Sequence, residues 1–180
     1  MSEFMNTIDL LGDEATAKAL IERTITEFND NICESVGVYA FYECKALTSV
    51  DLPNATSIGH YAFYNCSALT SVNIPNATSV ATRAFQVCSA LTSANISNAT
   101  RIDSYAFASC SKLTTIILRS PTVCTLANTN AFNGTPFASS GGTVYCPASL
   151  ITQYQQATNW STLYSGGKCN FVAIEGSEYE

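Results

Sequence analysis

Eight cysteines, one histidine and two rows of tyrosines are the residues of this 180-residue chain whose types could carry chemistry. Cys44, Cys66, Cys88 and Cys110 fall at a constant interval of 22 residues. Residues spaced so regularly stack as a ladder, with neighbouring chain passes ~4.8 Å apart. A disulfide wants Cβ atoms ~3.8 Å apart with a defined dihedral, which parallel side chains in register rarely give. Zinc sites favour close pairs such as C-x-x-C, and the chain has none. The reading is therefore a row of buried thiols that pack as small hydrophobes. Cys33 falls at the repeat position of Ala55, Ala77 and Ala99. Cys124 falls on that of Ile58, Val80 and Ile102, so both read as core. Cys146 and Cys169 lie beyond the regular spacing and are the pair most open to bonding.

His60, the single histidine, sits in a turn beside Tyr61 with no carboxylate at a matching position. A general base needs a positioned partner, so His60 reads as a solvated turn residue. Paired carboxylates are absent from the regular solenoid, and the chain has no G-x-S-x-G, P-loop or G-x-G-x-x-G. The expectation is no catalytic residue, no metal and no cofactor. The sequons at Asn54, Asn76 and Asn98 recur with the repeat, and asparagine there suits a turn by bonding its own backbone.

Charge narrows the partners. Charged residues are 12% of the chain, and the net charge is −6. Residues 1–51 hold ten acids and three bases; residues 52–174 hold only Asp103 against Arg83, Arg101, Lys112, Arg119 and Lys168. Those bases are scattered, whereas nucleic-acid binding needs a dense basic footprint, so no nucleic-acid partner is expected. The N-terminus lacks a basic segment followed by a long apolar one, so it does not read as a secretory signal. No apolar run reaches the ~18 residues a membrane span needs, and no membrane insertion is expected.

The elements that position these residues come from an internal repeat. Four segments beginning at Val36, Ile58, Val80 and Ile102 align without gaps, from VGVYAFYECKALTSVDLPNATS to IDSYAFASCSKLTTIILRSPTV. A unit this short cannot bury its own apolar side, but stacked copies bury one another. Leu47, Val50 and Leu52 form the L-x-x-V-x-L of a leucine-rich-repeat strand. Thr56-Ser57-Ile58 makes a second short extended piece, and Tyr61 to Tyr64 is too short for more than one 3₁₀ turn. Shifting back by one period sets Ile25 on Leu47, Phe28 on Val50 and Val36 on Ile58, a degenerate first coil. The predicted class is a leucine-rich-repeat-like solenoid, mainly β, with a parallel sheet, short 3₁₀ turns and small helical caps at both ends. Residues 1–24 read as a helical cap in which Asp13 N-caps a helix with Ala17, Leu20 and Ile21 on one face. Residues 25–142 are the solenoid. Residues 143–180 are a C-terminal cap: a strand over 143–147, a helix over 148–157 and a closing strand over 170–174.

Two surfaces of this solenoid are candidate binding faces. Tyr39, Tyr61, Arg83 and Tyr105 share one repeat position, and Tyr42 and Tyr64 share another. These rings either cover the seams between coils or form a ribbon that binds protein or sugar, since tyrosine joins an apolar face to a polar tip. The outward face of the main sheet carries Ser49, Asp51, Ser71, Asn73, Ser93, Asn95, Thr115 and Ile117. These groups could hydrogen-bond a glycan or merely stay hydrated.

The pattern I-G-x-Y-A-F-x-x-C-x-x-L-T-S-V-x-L-P-x-x-T resembles the BspA-type leucine-rich repeat of bacterial surface proteins, over about residues 25–132. The opening IDLLGDEATAKALIERTITEF and the closing VYCPASLITQYQQATNWSTLY are similar to segments of such proteins from gut bacteria and their prophages. The resemblance implies a right-handed solenoid and a role in adhesion, host-surface contact or phage-associated recognition. The implied partner is a protein or glycan on a bacterial or host cell surface. The implied location is the cell surface or a phage particle, otherwise the cytoplasm; without a secretion signal the phage-associated reading or an excised fragment is favoured. A structural spacer with no ligand of its own is the alternative.

Overall fold

The computed structural model describes residues 24–139, 141–177 and 179. The helix expected around Asp13 to Ile21 lies outside them. In each coil the chain passes through three walls. The first is a parallel sheet of β1 (Glu27–Asn29), β3 (Ser49–Asp51), β5 (Ser71–Asn73), β7 (Ser93–Asn95), β9 (Thr115–Ile117), β11 (Gly142–Cys146) and β12 (Cys169–Ala173), in that spatial order. The second is a smaller parallel sheet of β2 (Ser35–Val36), β4 (Ser57–Ile58), β6 (Ser79–Val80), β8 (Arg101–Ile102) and β10 (Thr125–Leu126). From β1 to β9 each strand pairs with its counterpart 22 residues away: Phe28 with Val50, and Val36 with Ile58, so the degenerate first coil stacks in register.

The third wall is made of turns. Within a coil, Ala40, Tyr42 and Cys44 donate to the carbonyls of Gly37, Tyr39 and Phe41, the i→i−3 bonds of a 3₁₀ turn. The intervening amides do something else: Tyr39, Phe41 and Glu43 donate across to His60, Ala62 and Tyr64 of the next coil, at 3.1, 2.7 and 2.7 Å. The wall is thus a third hydrogen-bonded ladder between coils. In the fifth coil the wall becomes a regular 3₁₀ helix over Thr129–Phe132, followed by a second over Pro136–Ala138.

Along this wall the backbone enters the left-handed region twice per coil, at positions four residues apart. Tyr39, Tyr61, Arg83 and Tyr105 have φ of 60°, 56°, 61° and 60°. Glu43, Asn65, Val87 and Ser109 repeat the feature four residues later, and Gly134 takes the same place in the fifth coil. For a residue with a Cβ this conformation costs ~1–2 kcal/mol.

The core is an axial stack. Phe41, Phe63, Phe85, Phe107 and Phe132 follow one another at ring spacings of 5.0, 5.1, 5.4 and 5.8 Å, nearly parallel. Phe28 closes this spine at one end, and Phe137 and Trp160 close it at the other. Leucines, isoleucines and the cysteine row fill the remainder.

Two elements depart from the sequence reading. Leu126, not Cys124, pairs with Ile102, because the loop through Pro121 brings two extra residues into the coil. Cys124 lies two residues earlier on the same side of the chain and is still fully buried. In the cap, the helix expected over 148–157 is a 3₁₀ turn (Ala148–Leu150) running into α1 (Ile151–Gln156), and an unexpected α2 (Trp160–Ser165) follows it. Asn159, at φ 67°, sets the break between them.

Candidate functional site

All eight cysteines are free and buried. The thiols of Cys66, Cys88 and Cys110 donate to the carbonyls of Phe41, Phe63 and Phe85 at 3.1, 3.1 and 3.0 Å. A small group with a weak donor fits this position, which explains why cysteine recurs there. Burial, with the neighbouring thiols Cys110 and Cys66 adding to it, holds the Cys88 thiol well above its ordinary range. Cys146 and Cys169 are not bonded to each other: Cys146 pairs across the ladder with Ala173 and Cys169 with Gly142, which sets them four residues out of register. Burial pushes Cys124 and Cys169 up to about 12, and burial with the nearby Glu175 pushes Cys146 up to about 11. Thiols held protonated in this way are neither nucleophiles nor ligands. Among the described residues, no group of three or more His, Cys, Asp or Glu side chains is arranged to hold a metal.

The outward face of the large sheet is occupied by its own bonds. Asn73 Nδ2 donates to Asp51 Oδ1 at 2.7 Å, Asn95 Nδ2 to Asn73 Oδ1 at 2.6 Å, and the Ser97 hydroxyl to Asn95 Oδ1 at 2.6 Å. Asp51, Asn73 and Asn95 are therefore members of a polar ladder that ties coils together. Ser49, Ser71 and Ser93 form the parallel row two residues away in each strand. Ile117, expected on the open face, is buried: Tyr145 pairs beside it, and the ring of Tyr179 covers Tyr145 at 4.6 Å. Arg119 holds that tail by donating to the Tyr179 carbonyl.

The turn wall brings the tyrosine rows together at the surface. Tyr39 and Tyr61 stack at 5.1 Å, and Tyr42 and Tyr64 at 5.0 Å. The rows touch edge to face, Tyr39 on Tyr42 at 5.5 Å and Tyr61 on Tyr64 at 5.7 Å. Arg83 takes the place of the third ring. Its guanidinium lies 5.5 Å from the Tyr61 ring centre and 5.1 Å from that of Tyr105, and its Nη1 donates to the Tyr61 hydroxyl at 2.8 Å. Tyr39 is 48% exposed and the others are half-buried. One flat face of each stacked ring is thus spent on its neighbour, and the Tyr61 hydroxyl is taken by Arg83. The left-handed backbone at this row is what sequence reasoning missed. Its only signals were Asn65 and Gly134 at the companion position, two residue types that tolerate positive φ.

A cavity of about 500 Å³ opens where the cap meets β10, lined by Val123, Leu126, Ala157 and Trp160 among others. Asn159 and Trp160 on its wall, with Tyr154 beside them, are engaged in closing the strand edge. Asn159 Nδ2 donates to the Leu126 carbonyl and Trp160 Nε1 to that of Cys124, both at 2.7 Å, while the Tyr154 hydroxyl accepts from the Cys124 amide at 2.9 Å. Capping explains this arrangement without a ligand.

Comparison with known proteins agrees with this architecture. The profile of the BspA type leucine rich repeat region, in six copies, matches residues 22–154. No curated protein matches the chain. A leucine-rich repeat protein from Bacteroides ovatus, known from a crystal structure, is similar in fold at 21% identity and a TM-score of 0.50. The match covers 83% of this chain and 40% of that one, so the chain spans well under half of its structural neighbour. Among the described residues, no helix is long and apolar enough to cross a membrane. With its repeat profile matched over most of its length, the chain belongs to the BspA-type leucine-rich repeat family.

Proposed function

We propose that this chain is a non-enzymatic recognition or adhesion module that binds a protein or glycan on a bacterial or host cell surface through its turn wall. The observation that carries this reading is the ribbon of Tyr39, Tyr42, Tyr61, Tyr64, Arg83 and Tyr105. Large side chains are kept at a left-handed backbone position in four successive coils, although each carries a conformational cost. At the companion position the residue drifts through Glu43, Asn65, Val87 and Ser109 to Gly134, so the fold itself does not demand tyrosine there. Interfaces draw their binding energy from tyrosine and arginine more than from other types. The sheet face supports the reading less, because its amides already satisfy one another. The carrier is a bacterial surface assembly or a phage tail.

The test is binding of the purified, labelled chain to a panel of bacterial envelopes and mucosal host cells. Saturable binding to at least one surface is the expected result. The competing reading is a structural spacer, and the exposed Ile32 (81%) and Val38 (55%) of the first coil favour it. Absence of binding to every surface, with self-association of the chain, would replace recognition with the spacer.

A further inference from the structure

We infer that the stretch of the turn wall centred on Arg83 is a subsite for the anionic group, carboxylate or sulfate, of an acidic glycan lying along the solenoid axis. This rests on the recognition reading and names its ligand class. The guanidinium lies between the rings of Tyr61 and Tyr105, and one N–H is held by the Tyr61 hydroxyl. An arginine has five N–H donors, so most remain for a planar, two-oxygen acceptor. Prior fixing removes the ordering cost that binding would otherwise carry.

Among the described residues, no carboxylate is paired with this cation. From residue 52 to 174 the only acid is Asp103, and its carboxylate is taken by Arg101 at 2.6 Å. The other described acids lie in the first two coils, at Glu27, Asp30, Glu34, Glu43 and Asp51, or in the C-terminal cap, at Glu175. An anion is therefore drawn to the Tyr61–Arg83–Tyr105 stretch and away from Tyr42. Thr82 and Ser104 each stand one residue before a ribbon residue and join the ladder through their carbonyls.

Spacing selects the class of polymer. Ribbon groups advance by 5.0–5.1 Å per coil. An extended peptide presents same-side groups every ~6.6 Å and falls out of step within two coils. An extended polysaccharide advances by close to one coil per sugar. Its hydroxyls can then meet the tyrosine edges in register while its acid group meets Arg83.

The experiment measures affinity of the full chain for heparin oligosaccharides, polygalacturonate, a neutral β-glucan and polyglutamate. Arg83→Tyr, Arg83→Gln and Arg83→Lys are measured beside the wild type. Arg83→Tyr restores the residue of the flanking coils, so the stack and the fold are kept. The expected result is binding to one or both acidic glycans that weakens with salt, and no comparable binding to β-glucan or polyglutamate. Arg83→Tyr and Arg83→Gln lose about tenfold or more with melting unchanged. Arg83→Lys also weakens, because a lysine point charge cannot lie flat between two rings. Equal binding to the neutral glucan, preference for polyglutamate, or undiminished affinity in Arg83→Tyr would each overturn the inference. If cell surfaces are bound through the tyrosines while acidic glycans are not, recognition stands and the subsite falls. If no cell surface is bound, recognition falls, and the glycan titration still decides the subsite on its own.

Discussion

At the scale of single residues, burial separates the side chains that hold the fold from those free to act. Phe85 is fully buried between Phe63 and Phe107, so Phe85→Ala removes a ring from the middle of the spine. The expected loss is about 3–5 kcal/mol in denaturant unfolding. Gly142 is fixed by a different constraint: a Cβ there would lie 2.4 Å from the Phe137 ring. Gly142→Ala is expected to destabilise by about 1–3 kcal/mol, read as a lower unfolding midpoint at unchanged denaturant slope. The thiols give a pH signature. Cys124, Cys146 and Cys169 have folded-state values of about 12, 11 and 12, above the ordinary 9.0. Unfolding exposes thiols that ionise from about pH 9, so the stabilisation is complete below that value and is lost as pH rises towards 12. Unfolding midpoints should fall above pH 9 more steeply in the wild type than in Cys124→Ala/Cys169→Ala; parallel pH profiles would assign the alkaline loss to other groups.

At the scale of the element, three hydrogen-bonded walls share the work of joining coils, and side-chain ladders reinforce them. Thr48, Thr70, Thr92 and Thr114 each donate a hydroxyl to the carbonyl of the threonine one coil back, Thr26 for the first. The amide ladder Asp51–Asn73–Asn95 does the same on the sheet face. Removing a middle member, as in Asn73→Ala, strands a partner on each side and is expected to cost about 1 kcal/mol, seen in thermal melts. Much of this architecture was legible in the sequence, because Val50, Val72, Ala94 and Ile116 keep one spacing and strand registers inherit it. The slip at Leu126 was not legible: an insertion shows in a repeat only where a marked residue follows it, and the next was Ala131. Nor was the turn ladder. Backbone φ leaves little trace in residue type when tyrosine and arginine occupy a position that favours glycine. The candidate ribbon was visible as a row of residues, but its stacking, which hides the ring faces and fixes Arg83, depends on coil spacing and emerges only in three dimensions.

In the molecule as a whole, the walls end and expose themselves differently. The large sheet closes on itself through its amide ladder and, at the C-terminal end, through Tyr179 over Tyr145. The small sheet ends under Tyr154, Asn159 and Trp160, which satisfy the edge of β10. Among the described residues, the turn wall presents a row of tyrosines interrupted by a cation that no described carboxylate pairs. Recognition through the turn wall rather than the sheet face is the central claim. Its most direct test compares two folded double variants for binding to the surface that the wild type recognises. Tyr39→Ala/Tyr61→Ala should lose saturable binding while keeping cooperative unfolding, and Asp51→Ala/Asn73→Ala should keep binding despite lower stability. Binding retained by the tyrosine variant and lost by the sheet-face variant would contradict the account.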